Sequence, residues 1–136
     1  MASAYQFKDF FIYSIPAIAS LAAGASSSPN IQIQSDSDFE LQKLTFYCDS
    51  NAGLTYSTRL FPQLSMLITD AGSGRQLSNV ALPFGAMMGD GELPFILPQT
   101  KIFVRNSQVN LQIANFSSAT TYYNIYVLLI GRKLFN

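Results

Sequence analysis

The sequence predicts an all-β protein: an antiparallel β-sandwich, with a jelly roll as the preferred topology and an extended segment at its N-terminus. Three observations carry this prediction. Apolar and polar residues alternate in short runs. Clusters of Gly, Pro, Asn, Asp and Ser break these runs at intervals of roughly ten residues, the spacing of sandwich strands and turns. Runs with apolar residues three and four apart, the mark of an amphipathic helix, are hard to find. An immunoglobulin-like sandwich is the other topology this pattern allows.

The elements follow in order. Residues 10–25 read FFIYSIPAIASLAAGA. The apolar run with small residues behind it resembles a secretory signal, but Asp9 offsets Lys8 and the positive start is poor. It is too short, with Pro16 inside, to span a bilayer. An apolar arm or a first strand is the better reading. Phe7, Phe10 and Ile12 are assigned to one side and Phe11 and Tyr13 to the other. With both faces apolar, a second subunit is expected on one of them. Ala22–Asn30 reads as a small-residue linker. This divides the chain into residues 1–30, arm and linker, and residues 31–136, one sandwich domain.

Within that domain Ile31 and Ile33 alternate with glutamines. Phe39 and Leu41 do the same, and then the phase slips so that Leu44, Phe46 and Cys48 align, as a β-bulge would produce. Asp49–Gly53 is a turn. Leu64–Thr69 is a strand closed by Asp70–Gly74, and Gln76–Leu82 reads as another. Phe95–Leu97 is a short strand between Pro94 and Pro98, which marks an edge. Lys101–Arg105 alternates again. Val109, Leu111 and Ile113 give the cleanest half-buried strand. Thr121–Leu129 is the longest run, with Tyr123, Ile125, Val127 and Leu129 on one face and Tyr122, Tyr126, Leu128 and Ile130 on the other. Two apolar faces suit a central or interface strand.

Composition narrows the function. The chain has 136 residues, enough for one domain with a sizeable core. Charged residues are only 12%, about half of the usual 25%. A surface so poor in charge suits a protein packed against other subunits. Eight basic and eight acidic residues cancel, which argues against a nucleic-acid partner or an anionic membrane. There is no histidine, so Ser-His-Asp and Cys-His catalysis and histidine metal sites are excluded. The single cysteine, Cys48, cannot form an internal disulfide and reads as a buried small hydrophobe.

The remaining chemical candidates each have a simpler structural reading. Asp36, Asp38 and Glu40 lie at period two and could form an acid pair or a calcium site, but a solvated strand entry is favoured. Asp90-Gly91-Glu92 lacks the run of oxygen ligands an EF-hand needs. Gly72-Ser73-Gly74-Arg75 could cradle an anion, but it lacks the strand-loop-helix setting of a phosphate loop. Asn115-Phe116-Ser117 matches a glycosylation acceptor, which matters only in a secreted chain. Tyrosines 47, 56, 122, 123 and 126 fit a core or subunit interface. A sugar-binding face is disfavoured by the absence of Trp. No catalytic residue, cofactor or metal is expected, and an enzyme is the least favoured class.

The C-terminal half resembles the small β-sandwich structural proteins of tailed bacteriophages, and most of all capsid cement or decoration proteins. The resemblance is carried by Leu93-Pro94-Phe95 with Leu97-Pro98, the Ile102-Phe103-Val104 strand, Asn115-Phe116-Ser117, and the closing Ile130-Gly131-Arg132-Lys133-Leu134-Phe135. It implies a jelly roll, a location on the virion capsid surface, and a mechanical role clamping neighbouring major capsid subunits. The partners it implies are the major capsid protein and further copies of this chain. The expected interface residues are Phe7, Phe10, Phe11, Ile12, Tyr13, Tyr122, Tyr126, Leu128 and Ile130. The alternative is a receptor- or carbohydrate-binding module of a phage tail or fibre.

Overall fold

A computed structural model describes residues 7–49, 62–89 and 94–135. Among these, the chain forms β1 (Phe7–Ser14), β2 (Ile18–Leu21), β3 (Ser26–Ser27), β4 (Asn30–Gln32), β5 (Asp38–Asp49), β6 (Leu64–Asp70), β7 (Arg75–Gln76), β8 (Leu82–Pro83), α1 (Phe84–Met87), β9 (Phe95–Phe103), β10 (Gln108–Asn115) and β11 (Tyr122–Phe135). One sheet has the order β1-β11-β5-β9, with β2 also on β11. The other has the order β3-β10-β6-β7, with β4 on β10 and β8 on β6. All named strand pairs are antiparallel.

The topology is a jelly roll. Three strands are interrupted: β1 continues as β2, β3 as β4, and β7 as β8, each pair lying along one neighbour. Taking each interrupted strand once, the first pairs with the last, the second with the seventh, the third with the sixth and the fourth with the fifth. That is one long antiparallel hairpin rolled into two packed sheets.

Alternation places the core. In β6, Leu64, Met66 and Ile68 are fully buried, and in β10 so are Val109, Leu111 and Ile113. They face Phe39, Leu41 and Leu44 of β5 and Ile125, Val127 and Leu129 of β11 across the space between the sheets. Period-two burial on the inner faces is what a sandwich demands. Cys48 joins this core, and burial pushes its thiol up to about 12, with the Asp49 charge adding to the effect. It packs as a small hydrophobe in the core.

The phase slip in β5 is a bulge. Against β11 its register shifts between Leu41 and Lys43, leaving Gln42 extra, and against β9 the same residue stands opposite four. Gly131 of β11 sits at this place. A Cβ there would lie 1.8 Å from the Glu40 carbonyl oxygen and 3.1 Å from the Phe39 ring. Only glycine permits that approach.

Several sequence expectations are corrected. Of the two readings of the N-terminal segment, the strand holds and the free arm does not: residues 7–14 pair with residues 128–135 along their whole length. Tyr13, Ile15 and Leu21 are buried in the core. The expected linker carries β3 and part of β4, so the boundary at residue 30 cuts through the sandwich. Gln76–Leu82 is not one strand but the two-residue β7 and β8 joined by bends. Conversely, Phe95–Leu97 and the residues from Lys101 belong to the single strand β9. The chain crosses Pro98 there because four residues of β9 bulge opposite Gln42. Pro tolerates an edge strand at a bulge.

Candidate functional site

Among the described residues no three His, Cys, Asp or Glu side chains could share a metal ion. The three acids at period two are instead paired one by one. Asp36 accepts from Lys133 Nζ at 3.0 Å. Asp38 accepts from Arg105 Nε at 3.2 Å and its backbone N–H at 3.0 Å. Glu40 accepts from Arg132 Nη2 at 2.6 Å and from the Thr100 hydroxyl at 3.0 Å. The hydrogen bond from Lys133 leads in holding the Asp36 carboxyl below its ordinary value. Burial works to raise the Glu40 carboxyl, but Arg132 and Thr100 together outweigh it and leave it lowered. Lys133 is itself buried, and its ammonium lies 4.2 Å from the centre of the Phe11 ring. Such a cation is kept inside by its carboxylate and ring partners.

Two further motifs are also structural. In the turn after β6, Asp70 Oδ1 accepts the Gly72 N–H at 3.0 Å and Oδ2 accepts the Ser73 hydroxyl at 3.0 Å. These donors are spent on the hairpin and not on an anion. Asn115 is buried, and its Nδ2 donates to the carbonyls of Leu21 at 2.9 Å and Thr120 at 2.8 Å. Its Oδ1 accepts the Ser117 N–H at 3.0 Å. In the folded chain this amide ties two turns together and is closed to a glycan. Asp90-Gly91-Glu92 and Tyr56 lie outside the described residues.

The feature that stands out is the outer face of the β5 sheet. Phe10 of β1 is 70% exposed and Ile12 41%. Ile12 pairs with Ile130 of β11, and Ser14 with Leu128. Leu128 and Ile130 are half-buried. Tyr126 pairs with Tyr47 of β5, with ring centres 6.2 Å apart at 64°. Both tyrosines are exposed, as are Ile96 and Ile102 of β9 on the same face. At roughly 200 Å² for a large side chain, the exposed fractions of these six residues amount to about 600 Å². A typical monomer's largest apolar patch is about 300–600 Å².

The expected interface residues divide accordingly. Phe10, Ile12, Tyr126, Leu128 and Ile130 share this outer face. Phe11 is half-buried on the inner side, edge-on to Tyr13 at 4.8 Å. Tyr13 and Tyr122 are buried, so they belong to the core and not to a surface. Their hydroxyls accept the backbone N–H of Gln34 and Gln63, both at 2.9 Å. Tyr122 changes sides because β11 slips register between Tyr123 and Tyr126, where Asn124 takes a left-handed φ of 52°. Phe7 pairs with Phe135 through its backbone. The list of interface residues omitted Tyr47, which the sequence marked only as core or subunit interface, and also Ile96 and Ile102. Alternation of Tyr47 with the inward Phe46 and Cys48 was the available signal for the first.

At one end of this face, Asp49 accepts from the Tyr47 hydroxyl at 2.9 Å and from Asn124 Nδ2 at 3.0 Å. Elsewhere, a pocket of about 530 Å³ opens between β9 and the β7–β8 side, lined by Leu77, Leu82, Met87, Phe95 and Leu97 with Arg75 and Lys101. It has the size of a small-ligand cleft.

No family model matches the chain, and no curated protein matches it. Among solved structures, it is similar to the crystal structure of the infectious bursal disease virus VP2 subviral particle. The sequence identity is 11% and the TM-score 0.34. The match covers 99% of this chain and 39% of that one.

Proposed function

We propose that this chain is a non-enzymatic structural protein of a virion. In finer terms it is a cement or decoration protein that binds neighbouring major capsid subunits and stabilises the shell. The observation that carries the reading is the apolar outer face spread over β1, β11, β5 and β9. Its six exposed apolar side chains supply most of the roughly 800 Å² that one side of a standard interface buries. Of the charges on this face, Glu40 and Arg132 are already paired with each other, while Lys43, set between Ile130 and Ile96 in the register, needs an acceptor from the docking partner. Repetition at symmetry-related sites multiplies a modest affinity by avidity.

The test is co-sedimentation with phage shells that lack the protein. Binding at a fixed ratio to the capsid subunit, weakened by Tyr126→Lys with Ile12→Lys, supports the reading. A wild-type protein that stays in the supernatant overturns it.

One observation favours a second reading. The exposed pair Tyr47 and Tyr126 stands beside a carboxylate, Asp49, held by Asn124. Aromatic rings beside fixed polar groups suit a sugar ring, which stacks on one and hydrogen-bonds to the other. A glycan screen in which binding is lost with Tyr126→Ala would establish this receptor-binding role, and silence across the screen removes it.

A further inference from the structure

Among the described residues the sandwich has four open sheet edges, and three are broken by short strands, prolines or bulges. β9 carries Pro98 and a bulge four residues wide. The β3–β4 edge is broken into strands of two and three residues around Pro29, and the β7–β8 edge into two strands of two. Short strands, prolines and bulges are how natural sheets keep their edges from pairing with other chains. The fourth edge, β1, has eight regular residues in unbroken register with β11. Among the described residues no strand lies on its other side. Phe10, in the middle of this strand, is also the most exposed of the large apolar residues.

We infer that β1 is a dimerisation edge, whose occupant is β1 of a second copy of this chain running antiparallel across a two-fold axis. Self-pairing of one strand is antiparallel whenever the axis is perpendicular to the sheet, so the contact closes on itself. Residues directly opposite in an antiparallel pair project from the same face. The two outer faces therefore become continuous only when the axis passes beside a residue. An axis at Phe10 would set Lys8 against the apolar Ile12 and Asp9 against Phe11, whereas an axis at Phe11 sets Lys8 against the polar Ser14 and Asp9 against Tyr13. An axis at Phe11 matches Phe11 with Phe11 and Phe10 with Ile12, twice, and uses every residue from Lys8 to Ser14. That register covers the most exposed apolar side chain and joins two apolar outer faces into one eight-stranded surface.

This inference does not rest on the shell-docking reading, because the purified protein alone tests it. Sedimentation equilibrium should show a dimer at high micromolar concentration. Phe10→Lys should raise the dissociation constant at least tenfold, with an unchanged circular dichroism spectrum, since an edge lysine opposes pairing and the site is open to solvent. The register is tested by Phe10→Cys with Ile12→Cys. Under oxidation this variant should form a covalent dimer, because cross-strand Cα spacings of about 4.5–5.5 Å fall within disulfide range. The buried Cys48 does not compete. A wild-type monomer overturns the proposal. So does a dimer indifferent to Phe10→Lys, or one that the cysteine pair does not link.

Discussion

The two outer faces of this sandwich differ in what their uncharged side chains can do. On the β10 sheet most outward residues are amides and hydroxyls, with Leu67 and Ala114 half-buried among them. Asn110 donates to Asn30 at 2.9 Å and Gln108 to Gln32 at 3.2 Å across the β10–β4 pair, with Gln112 exposed beyond them. On the β5 sheet Phe10, Ile12, Tyr47, Tyr126, Ile96 and Ile102 project outward around Glu40, Lys43 and Arg132. Water can satisfy the first face indefinitely. The second loses free energy with every exposed square ångström, about 25 cal/mol each. A low charge count alone therefore says little. What matters is whether the uncharged surface can hydrogen-bond.

Four experiments sharpen or break this contrast, from the largest expected effect to the smallest. The β5 sheet depends on one tight point, where β11 passes the bulge at Gly131. Gly131→Ala should cost about 3 kcal/mol or more in urea unfolding, since the Glu40 backbone must move. A variant within about 0.5 kcal/mol of wild type would show that the two strands are not so close.

Next come the faces themselves. Ile12→Lys with Tyr126→Lys should weaken shell binding more than tenfold, while Asn110→Lys with Gln112→Lys leaves it unchanged. Equal losses from both pairs would abolish the distinction drawn here.

Acid should then separate the sheets. The Asp36 and Glu40 carboxyls are held below their ordinary values in the folded chain. Their contribution is fully present above the unfolded value of about 4 and is lost as pH falls through the folded values. Unfolding midpoints should drop below about pH 4, and Glu40→Gln should flatten part of that fall. The amide pairs of the β10 face do not titrate. Smallest of all, Gln108→Ala should shift stability by less than about 0.5 kcal/mol, as exposed surface changes do.

Much of this was legible in the sequence because burial here has a strict period of two. Leu64-Met66-Ile68 and Val109-Leu111-Ile113 announced two inner faces, and the slip between Leu41 and Leu44 announced the bulge. What misled was local irregularity. The turn-like break at Asn124 moved Tyr122 to the core side, against simple alternation from Tyr126. The small-residue run Ala22–Asn30 looked like a linker, yet backbone pairing needs no large side chains, and Ser26-Ser27 sits on β10. Tyr13 was assigned to an interface because both faces of the N-terminal segment are apolar and one of them looked left for a second subunit. Phe39 and the Gln34 N–H, which support it, come from far along the chain. The pairing of Asp36, Asp38 and Glu40 with Lys133, Arg105 and Arg132 was hidden for the same reason.

The rolled hairpin also sets an order in time. β11 holds β1, β2 and β5 at once, and its partner residues reach from Phe7 to Asp49. During synthesis, those earlier strands leave the ribosome with their central neighbour still unmade. Pairings so distant in sequence also close slowly. Until β11 arrives, the strands it will join stay unzipped and open to wrong partners, so copies made close together on one messenger risk exchanging strands before each can finish its own roll.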